Sequence, residues 1–410
     1  MKGFRMTLQN DDAPRRARLA VYYPWLYLTS GAERTILEIA KRSRYRITIF
    51  TNEYQPDATF PELRQMDVRL LSRVPVERSL RSVASAATRL LSQELDLSEF
   101  DALLVVCEGL GDLVALRQRR VPVFCLCLTP LRIAFDPVYR ANYLASRSAL
   151  HRLVVRAGTV LYRSVDRIAW RRYRRIFAIS EEVRTRILAG RLASPERMRT
   201  LHPGVELSAF TPSPPAERVF FVPGRIMWTK NLELAIRAFQ LFRRTAPEPS
   251  TWRLVIAGIV DRKSRPYLDR LRSLAGGDPS VEFRVHPSDE EMRARYAACF
   301  ATLFTAFNED WGLVIIEAMA AGKPAVAVNR GGPKEIVRHG HDGLLADADP
   351  EAFASAMTRL AGEPGLYERL ATNAPSSAAR FGWDPFVAEL DGELERALGA
   401  PGAAGTREAA

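Results

Sequence analysis

Residues 301–328 read ATLFTAFNEDWGLVIIEAMAAGKPAVAV, and three segments of this stretch decide the fold. Ala301 to Phe304 and Ala325 to Val328 are short apolar runs of strand length, and the apolar segment Leu313 to Ala321 between them reads as a helix. Strand, helix and strand in so few residues make a parallel crossover unit, whose sheet is covered on both faces. The unit repeats upstream. Val219 to Val222 is strand-like, Asn231 caps a helix carrying Leu232, Ala235, Ile236 and Phe239, and strand Leu254 to Ala257 follows. A helix near Tyr267 to Leu274 and strand Val281 to Val285 come next, and Ser288 with Glu291 forms a capping box for the following helix.

The N-terminal half shows the same alternation. Leu19-Ala20-Val21-Tyr22-Tyr23 is a buried strand leading to a helix with apolar Ile36, Leu37, Ile39 and Ala40, and Ile47 to Phe50, Ala102 to Val106 and Val121 to Leu126 are further strands. Between the halves, Thr211-Pro212-Ser213-Pro214-Pro215 cannot continue a helix or a central strand. The expected architecture is α/β, with two Rossmann-like doubly wound domains facing across a cleft and ligands at the carboxyl ends of the strands. The boundaries are 1–208 for the N-terminal domain, 209–217 for the linker and 218–380 for the C-terminal domain. A helical segment at 381–398 can cross back to the N-terminal domain, and the Ala/Gly-rich tail 399–410 reads as disordered.

Composition narrows the classes. With 47% hydrophobic and 26% charged residues over 410 positions, a disordered, fibrous or disulfide-stapled chain is excluded. No apolar run reaches the roughly 18 residues of a membrane helix. The nearest, Trp311 to Val328, contains Glu317, Gly322, Lys323 and Pro324. The polar N-terminus, with Arg15, Arg16 and Arg18, lacks the apolar core of a secretion signal, so a cytoplasmic location is expected. Cys107, Cys125, Cys127 and Cys299 have no zinc-type spacing and read as reduced core thiols.

Charge is concentrated. Residues 140–199 hold 15 arginines and no lysine against four acids, so nearly all of the net +12 lies there. Such a segment implies an anionic partner: nucleic acid, an acidic membrane or a phosphorylated substrate. Within it Arg152, Arg156, Arg163, Arg167, Arg171 and Arg174 share one helical stripe, while Leu150, Leu153, Ala157, Val160, Leu161, Val165 and Ile168 fall toward the other side. Two expectations compete: peripheral contact with an anionic membrane at its inner face, or an apolar side packed on the sheet with solvated arginines.

Three strand-loop-helix junctions carry what a diphosphate needs, namely a helix N-terminus with unpaired amides and a glycine that admits an anion. Ser30 and Glu33 form a capping box around Gly31; Gly224 precedes Arg225 and Lys230; Gly312 opens the helix after Glu309. Paired cations at Arg225 and Lys230 could neutralise a diphosphate and its growing negative charge on departure, or could be solvated loop charges. Glu317, among Val314, Ile315, Ile316 and Met319, needs hydrogen-bond donors, which sugar hydroxyls supply, unless it sits on the exposed stripe of its helix. Asp347-Ala348-Asp349 reads as a helix-start turn before Pro350.

In order and spacing these elements resemble the family 4 retaining glycosyltransferases of the GT-B fold (glycosyltransferase group 1). The resemblance spans nearly the whole chain. It is strongest in Phe307-Asn308-Glu309-Asp310-Trp311-Gly312-Leu313 through Glu317-Ala318-Met319-Ala320-Ala321-Gly322-Lys323-Pro324, the family's E-x7-E element, and in Gly331-Gly332-Pro333-Lys334-Glu335-Ile336-Val337. Weaker matches are Gly31-Ala32-Glu33-Arg34, Gly224-Arg225 with Lys230-Asn231, and His202-Pro203-Gly204-Val205. The resemblance implies transfer of a sugar from a nucleoside-diphosphate donor, GDP-mannose among the candidates, to a saccharide, lipid-linked or small-molecule acceptor. It implies that Arg225 and Lys230 hold the diphosphate, Glu317 the ribose and Glu309 the transferred sugar, with the backbone of Asp310, Trp311, Gly312 and Leu313 against sugar or phosphate. Retention of anomeric configuration, no cofactor and no metal follow from the same likeness.

Cys127-Leu128-Thr129-Pro130-Leu131-Arg132 with Asp136 resembles a C-H-T-P-x-R element of mannosyltransferase-like members, so Arg132 and Asp136 are acceptor-side candidates, or else a structural ion pair. Leu128 replaces the histidine, and Val285 stands where a glycine is usual near the base pocket. A nucleotide-sugar 2-epimerase is the other enzyme class with this architecture. A non-enzymatic binder of anionic polymers, recognised by steep salt dependence, is the reading outside enzymes; no specific nucleic acid is expected.

Overall fold

The structure is a computed structural model that describes residues 16–74, 80–145, 147–246 and 248–399. The N-terminal leader question, as far as Arg15, and the tail beyond Gly399 lie outside the described residues. The first half runs β1 (Arg18–Tyr22), β2 (Trp25–Leu26), α1 (Gly31–Arg42), β3 (Arg46–Thr51), β4 (Glu53–Tyr54), β5 (Val68–Leu70), α2 (Leu80–Ser92), β6 (Ala102–Glu108) and β7 (Val123–Thr129). It continues through α3 (Arg132–Phe135), α4 (Pro137–Ala145), α5 (Ala149–Trp170), β8 (Tyr173–Ala178), α6 (Glu181–Ala189) and β9 (Met198–Thr200). Its seven-stranded parallel sheet has the order β5-β3-β1-β6-β7-β8-β9. The run Leu19 to Tyr22 is wholly buried because sheet neighbours flank it and helices cover both faces.

The second half comprises β10 (Val219–Pro223), α7 (Leu232–Phe242), β11 (Arg253–Gly258), α8 (Arg265–Ala275), β12 (Val281–Val285), α9 (Asp289–Ala298), β13 (Ala301–Phe304) and α10 (Leu313–Ala320). Then follow β14 (Ala325–Val328), α11 (Pro333–Ile336), β15 (Gly343–Ala346), α12 (Pro350–Gly362), α13 (Leu366–Ala378) and α14 (Trp383–Leu398). The order β12-β11-β10-β13-β14-β15 reverses direction between β10 and β13, and that switch point is where a ligand crevice opens.

Six strands were not read from the sequence: the short β2, β4, β5 and β9, together with β8 and β15. β8 carries exposed Arg174 and Arg175, which hid it within the basic segment, and Gly343–Ala346 adds a sixth strand to the second sheet, ahead of the helix start at Asp349. Asp349 does start a helix: its carboxylate accepts from Ala352 N at 2.9 Å. Asn231 occupies the N-cap of α7 in a left-handed conformation (φ 48°) but makes no side-chain cap; the Leu232 amide donates instead to the Tyr267 hydroxyl at 2.9 Å. The capping box of Ser288 and Glu291 is present.

Two chain crossings join the domains and touch. Val205 bridges to Gly382, and a Cβ on Gly204 would lie 2.3 Å from the Gly382 carbonyl carbon, so only glycine fits there. Fully buried Lys323 donates to Ser213 O at 2.7 Å and pins the proline-rich linker to the end of α10. After the second crossing α14 packs on α1. Its buried Asp391 accepts from Ser43 Oγ at 2.8 Å and from Arg44 N at 2.7 Å.

Candidate active site

Gly224, Arg225 and Lys230 lie in the loop from β10 to α7. This loop crosses so tightly over Gly258 that a Cβ there would stand 1.8 Å from Gly224 O, and Gly224 takes φ 123° with open space beside it. Lys230 Nζ donates to Glu309 Oε2 at 2.5 Å, which joins the β10 loop to the loop after β13. Burial pushes the Glu309 carboxyl up, but Lys230, then Arg132 and Arg225, outweigh it and hold it below its usual range. Arg225 is exposed and makes no hydrogen bond or ion pair among the described residues. Its charge also acts on Glu33 of α1, across the cleft. A half-buried carboxylate ringed by cations, one of them unengaged, is an electrostatic site prepared for further negative charge.

The N-termini of α1 and α10 meet here. A Cβ on Gly31 would lie 3.5 Å from Leu313 Cδ1, and Gly312 is the N-cap of α10 at φ 146°. Neither helix has a side-chain cap. The Ser30–Glu33 capping box does not form: the Ser30 hydroxyl donates to the Glu33 carboxylate, because that carboxylate is buried and must be satisfied first. Burial, with the neighbouring Glu108 charge, pushes Glu33 up to about 7. Glu317 stands one helical turn further along α10, where the Tyr296 hydroxyl donates to it at 2.6 Å. Burial holds its carboxyl above the usual range, only partly offset by Tyr296 and by Arg34 of α1.

Asp310 and Trp311 turn their side chains away from this centre. Asp310 is gripped by N-domain residues: Arg186 donates to its carboxylate, Ser180 Oγ to its carbonyl at 2.5 Å, and Thr129 Oγ1 to Oδ1 at 3.4 Å. Trp311 is buried, stacks on His202 at 4.5 Å and donates from Nε1 to Pro203 O at 2.9 Å, so its side chain packs the domain crossing. Arg132 and Asp136 form an ion pair at 2.9 Å, and Arg132 also donates to Asn308 O. Asp136 is fully buried, which keeps it from touching an acceptor in this conformation. Burial raises its carboxyl, but Arg186, the Tyr139 amide and Arg132 outweigh that and hold it low. Both residues therefore clamp the N-terminal domain to the loop that carries Glu309.

Sequence reasoning missed Arg186, Ser180 and Glu335. The Glu335 carboxylate accepts from the amides of Glu181 and Glu182 (2.8 and 3.0 Å) and so caps α6 from the opposite domain. Glu335 was visible as part of a motif; nothing in the sequence marked Arg186 apart from its membership of the basic segment. Away from the cleft, Cys107, Cys125 and Cys127 bring their sulfurs within 4.8 Å of one another across β6 and β7. Burial holds all three as thiols well above their usual pKa.

Fold and site together define a class: a two-domain protein of the GT-B type with a glycine-lined cleft carrying Arg225 and Lys230. Residues 206–377 match the family described as "Glycosyl transferases group 1" and residues 29–209 match "Glycosyltransferase Family 4". The chain belongs to the group 1, family 4 glycosyltransferases. Among its relatives are D-inositol 3-phosphate glycosyltransferases of Acidothermus cellulolyticus (36% identical over 223 residues, 50% of this chain and 49% of the relative) and Streptomyces bingchenggensis (31% over 233 residues, 52% and 51%). The chain spans about half the length of the curated relatives it matches. Anabaena HepE, solved with UDP and glucose, has the same fold at TM-score 0.70 and 19% identity, with 93% of this chain and 100% of that one covered. Sucrose-phosphate synthase from Thermosynechococcus elongatus gives 0.71, 19%, 93% and 99%.

Proposed function

We propose that the chain is a retaining, metal-independent hexosyltransferase that moves a sugar from a nucleoside-diphosphate donor to a saccharide, lipid-linked or small-molecule acceptor. The observation that carries this reading is the convergence of Arg225, Lys230 and the uncapped N-termini of α1 and α10 on one cleft. In it the diphosphate displaces Glu309 from Lys230, freeing Glu309 to hold sugar hydroxyls, while Glu317 holds the ribose. The bond from the anomeric carbon to the diphosphate breaks, the acceptor oxygen bonds from the same face, and its proton passes to the departing phosphate. The cations and helix ends neutralise the charge that develops, which is the role a divalent metal has elsewhere. A cytoplasmic location accompanies a donor of this kind and belongs to the same proposal.

The test is protection against thermal unfolding by a panel of nucleoside-diphosphate sugars, UDP-glucose and GDP-mannose among them, followed by transfer assays with the best binder. Turnover should survive EDTA, and the product should keep the donor's anomeric configuration by NMR. An inverted product overturns the retaining mechanism. Loss of turnover in EDTA that Mg²⁺ or Mn²⁺ restores overturns the metal-independent one.

A further inference from the structure

The long helix α5 is amphipathic in the opposite sense to a core helix. Val155, Thr159, Asp166, Ala169 and Trp170 form its buried face. The Tyr162 hydroxyl donates to Gly109 O at 3.1 Å and Arg163 Nε to Ala134 O at 2.8 Å, so the helix cannot roll about its axis. The outward face carries Leu150 (72% exposed), Leu153, Val154, Val160, Leu161 (70% exposed) and Ile168. With Leu70 elsewhere, these are the exposed large hydrophobic side chains among the described residues. At 100° per residue they occupy an arc of about 120°. The alternative in which this side packs on the sheet is therefore overturned: it faces outward, and the opposite face, bearing Val155 and Trp170, is covered by the Leu110–Leu116 turn and α3.

The arginines complete the pattern. Arg152, Arg156, Arg163 and Arg167 form a row between the apolar arc and the buried face, and exposed Arg171 and Arg174 continue beyond the helix end, Arg174 on β8. None of the six pairs with a carboxylate among the described residues; Arg152 and Arg167 donate to backbone carbonyls of Leu144 and Gly190. An apolar arc bordered by guanidinium groups that have no carboxylate partner among the described residues fits the headgroup–acyl boundary of an acidic bilayer. A second copy of the chain fits worse, since α5 offers no carboxylate to an opposing arginine row: its one acid, Asp166, is buried, and an antiparallel two-fold contact brings both rows together.

Placement links the surface to the cleft. α4 starts directly after Asp136, and its Tyr139 packs on Trp228 of the C-terminal domain at 5.2 Å between ring centres, so the chain passes from the cleft through one short helix into α5. We propose that α5 seats the protein on an anionic lipid bilayer, its apolar arc in the interface and its arginine row on the headgroups, and that the acceptor is presented at that surface. The acceptor clause rests on the transferase reading; the docking does not.

The test is co-sedimentation with phosphatidylcholine vesicles with and without phosphatidylglycerol, for the full chain and for L153S/L161S and R156E/R171E. The full chain should bind only the anionic vesicles, and each double variant should weaken binding by about tenfold or more, with salt weakening the full chain as well. Unchanged melting of the variants shows that they are folded, and donor hydrolysis in the same preparations reports on the transferase reading separately. Three results would overturn the proposal: anionic binding indifferent to L153S/L161S, which is charge attraction alone; no binding by a monomeric chain; or a dimer in sedimentation that L153S/L161S dissociates, which makes a second copy the occupant.

Discussion

Lys230 is one of only six lysines in an arginine-rich chain, and its ammonium is placed where a compact point charge can leave one partner for another. Replacing Lys230 or Glu317 by alanine should cost about 2 kcal/mol or more in donor binding or transition-state stabilisation, the scale of a lost charge-assisted contact. Kinetics close to those of the parent in both folded variants would sink the assignment. Glu33 supplies a second prediction at this scale. Its carboxyl, ordinarily near 4.5, is pushed up to about 7 by burial against Glu108, despite the Ser30 hydroxyl and Arg225. Between those values the folded chain keeps a proton that the unfolded chain releases, so this contribution is whole below the lower value and lost as pH rises to the upper. The loss amounts to about 3 kcal/mol. Glu33→Gln should flatten that slope and leave the protein more stable than the parent at about pH 8, with little difference near pH 4. Urea unfolding at the two pH values reads it, and parallel curves for both proteins would refute it.

At the scale of elements, the first turn of α1 is open to a direct experiment. An alanine methyl at Gly31 meets only Leu313 Cδ1 at ordinary contact distance, and alanine is the better helix former by up to about 1 kcal/mol. Gly31→Ala should therefore melt no lower than the parent yet raise the donor KM about tenfold, because the methyl occupies the approach to the uncapped amides. An unchanged KM would remove α1 from the donor site. The elements themselves were largely legible: buried parallel strands such as Ala301–Phe304 read as short apolar runs, and helices between them as longer periodic ones. β8 was not, because an exposed arginine pair breaks the apolar run. In the cleft, Glu309 and Lys230 could be read because each sits in a contiguous motif. Arg186 could not, since its contact with Asp310 spans 124 positions and a lone arginine on a helix announces no partner. The same reason hid the thiol cluster, which is assembled across two strands rather than by spacing.

The two domains are tied together by Arg186 and Ser180, which lie outside the family-like motifs, acting with Arg132, Asn308, Asp310 and Glu335, which lie within them. Arg186, with its side chain only 3% exposed, bonds Asp310 from the N-terminal domain while also lying 3.5 Å from Asp136 and 3.1 Å from Glu182. Ser180 donates to the Asp310 carbonyl, Arg132 to that of Asn308, and Glu335 caps α6 from the other side. All of these act on the residues flanking Glu309 or on the helix facing them, so domain closure and the shape of the sugar site are one event. Removing one member of a buried ion-pair set typically costs about 3–5 kcal/mol, because the remaining charges stay desolvated without their partner. Here the domains have a cheaper response: they can part at the Gly204–Gly382 crossing and let water reach Asp136 and Asp310. Arg186→Gln should consequently show a larger radius of gyration than the parent in small-angle scattering without ligand, and contract on adding the donor. Its donor KM should rise more than its kcat falls, since binding must then do the work of closing. Scattering curves that superimpose on the parent's, together with unchanged KM, would show that the clamp is packing alone and that closure is governed elsewhere.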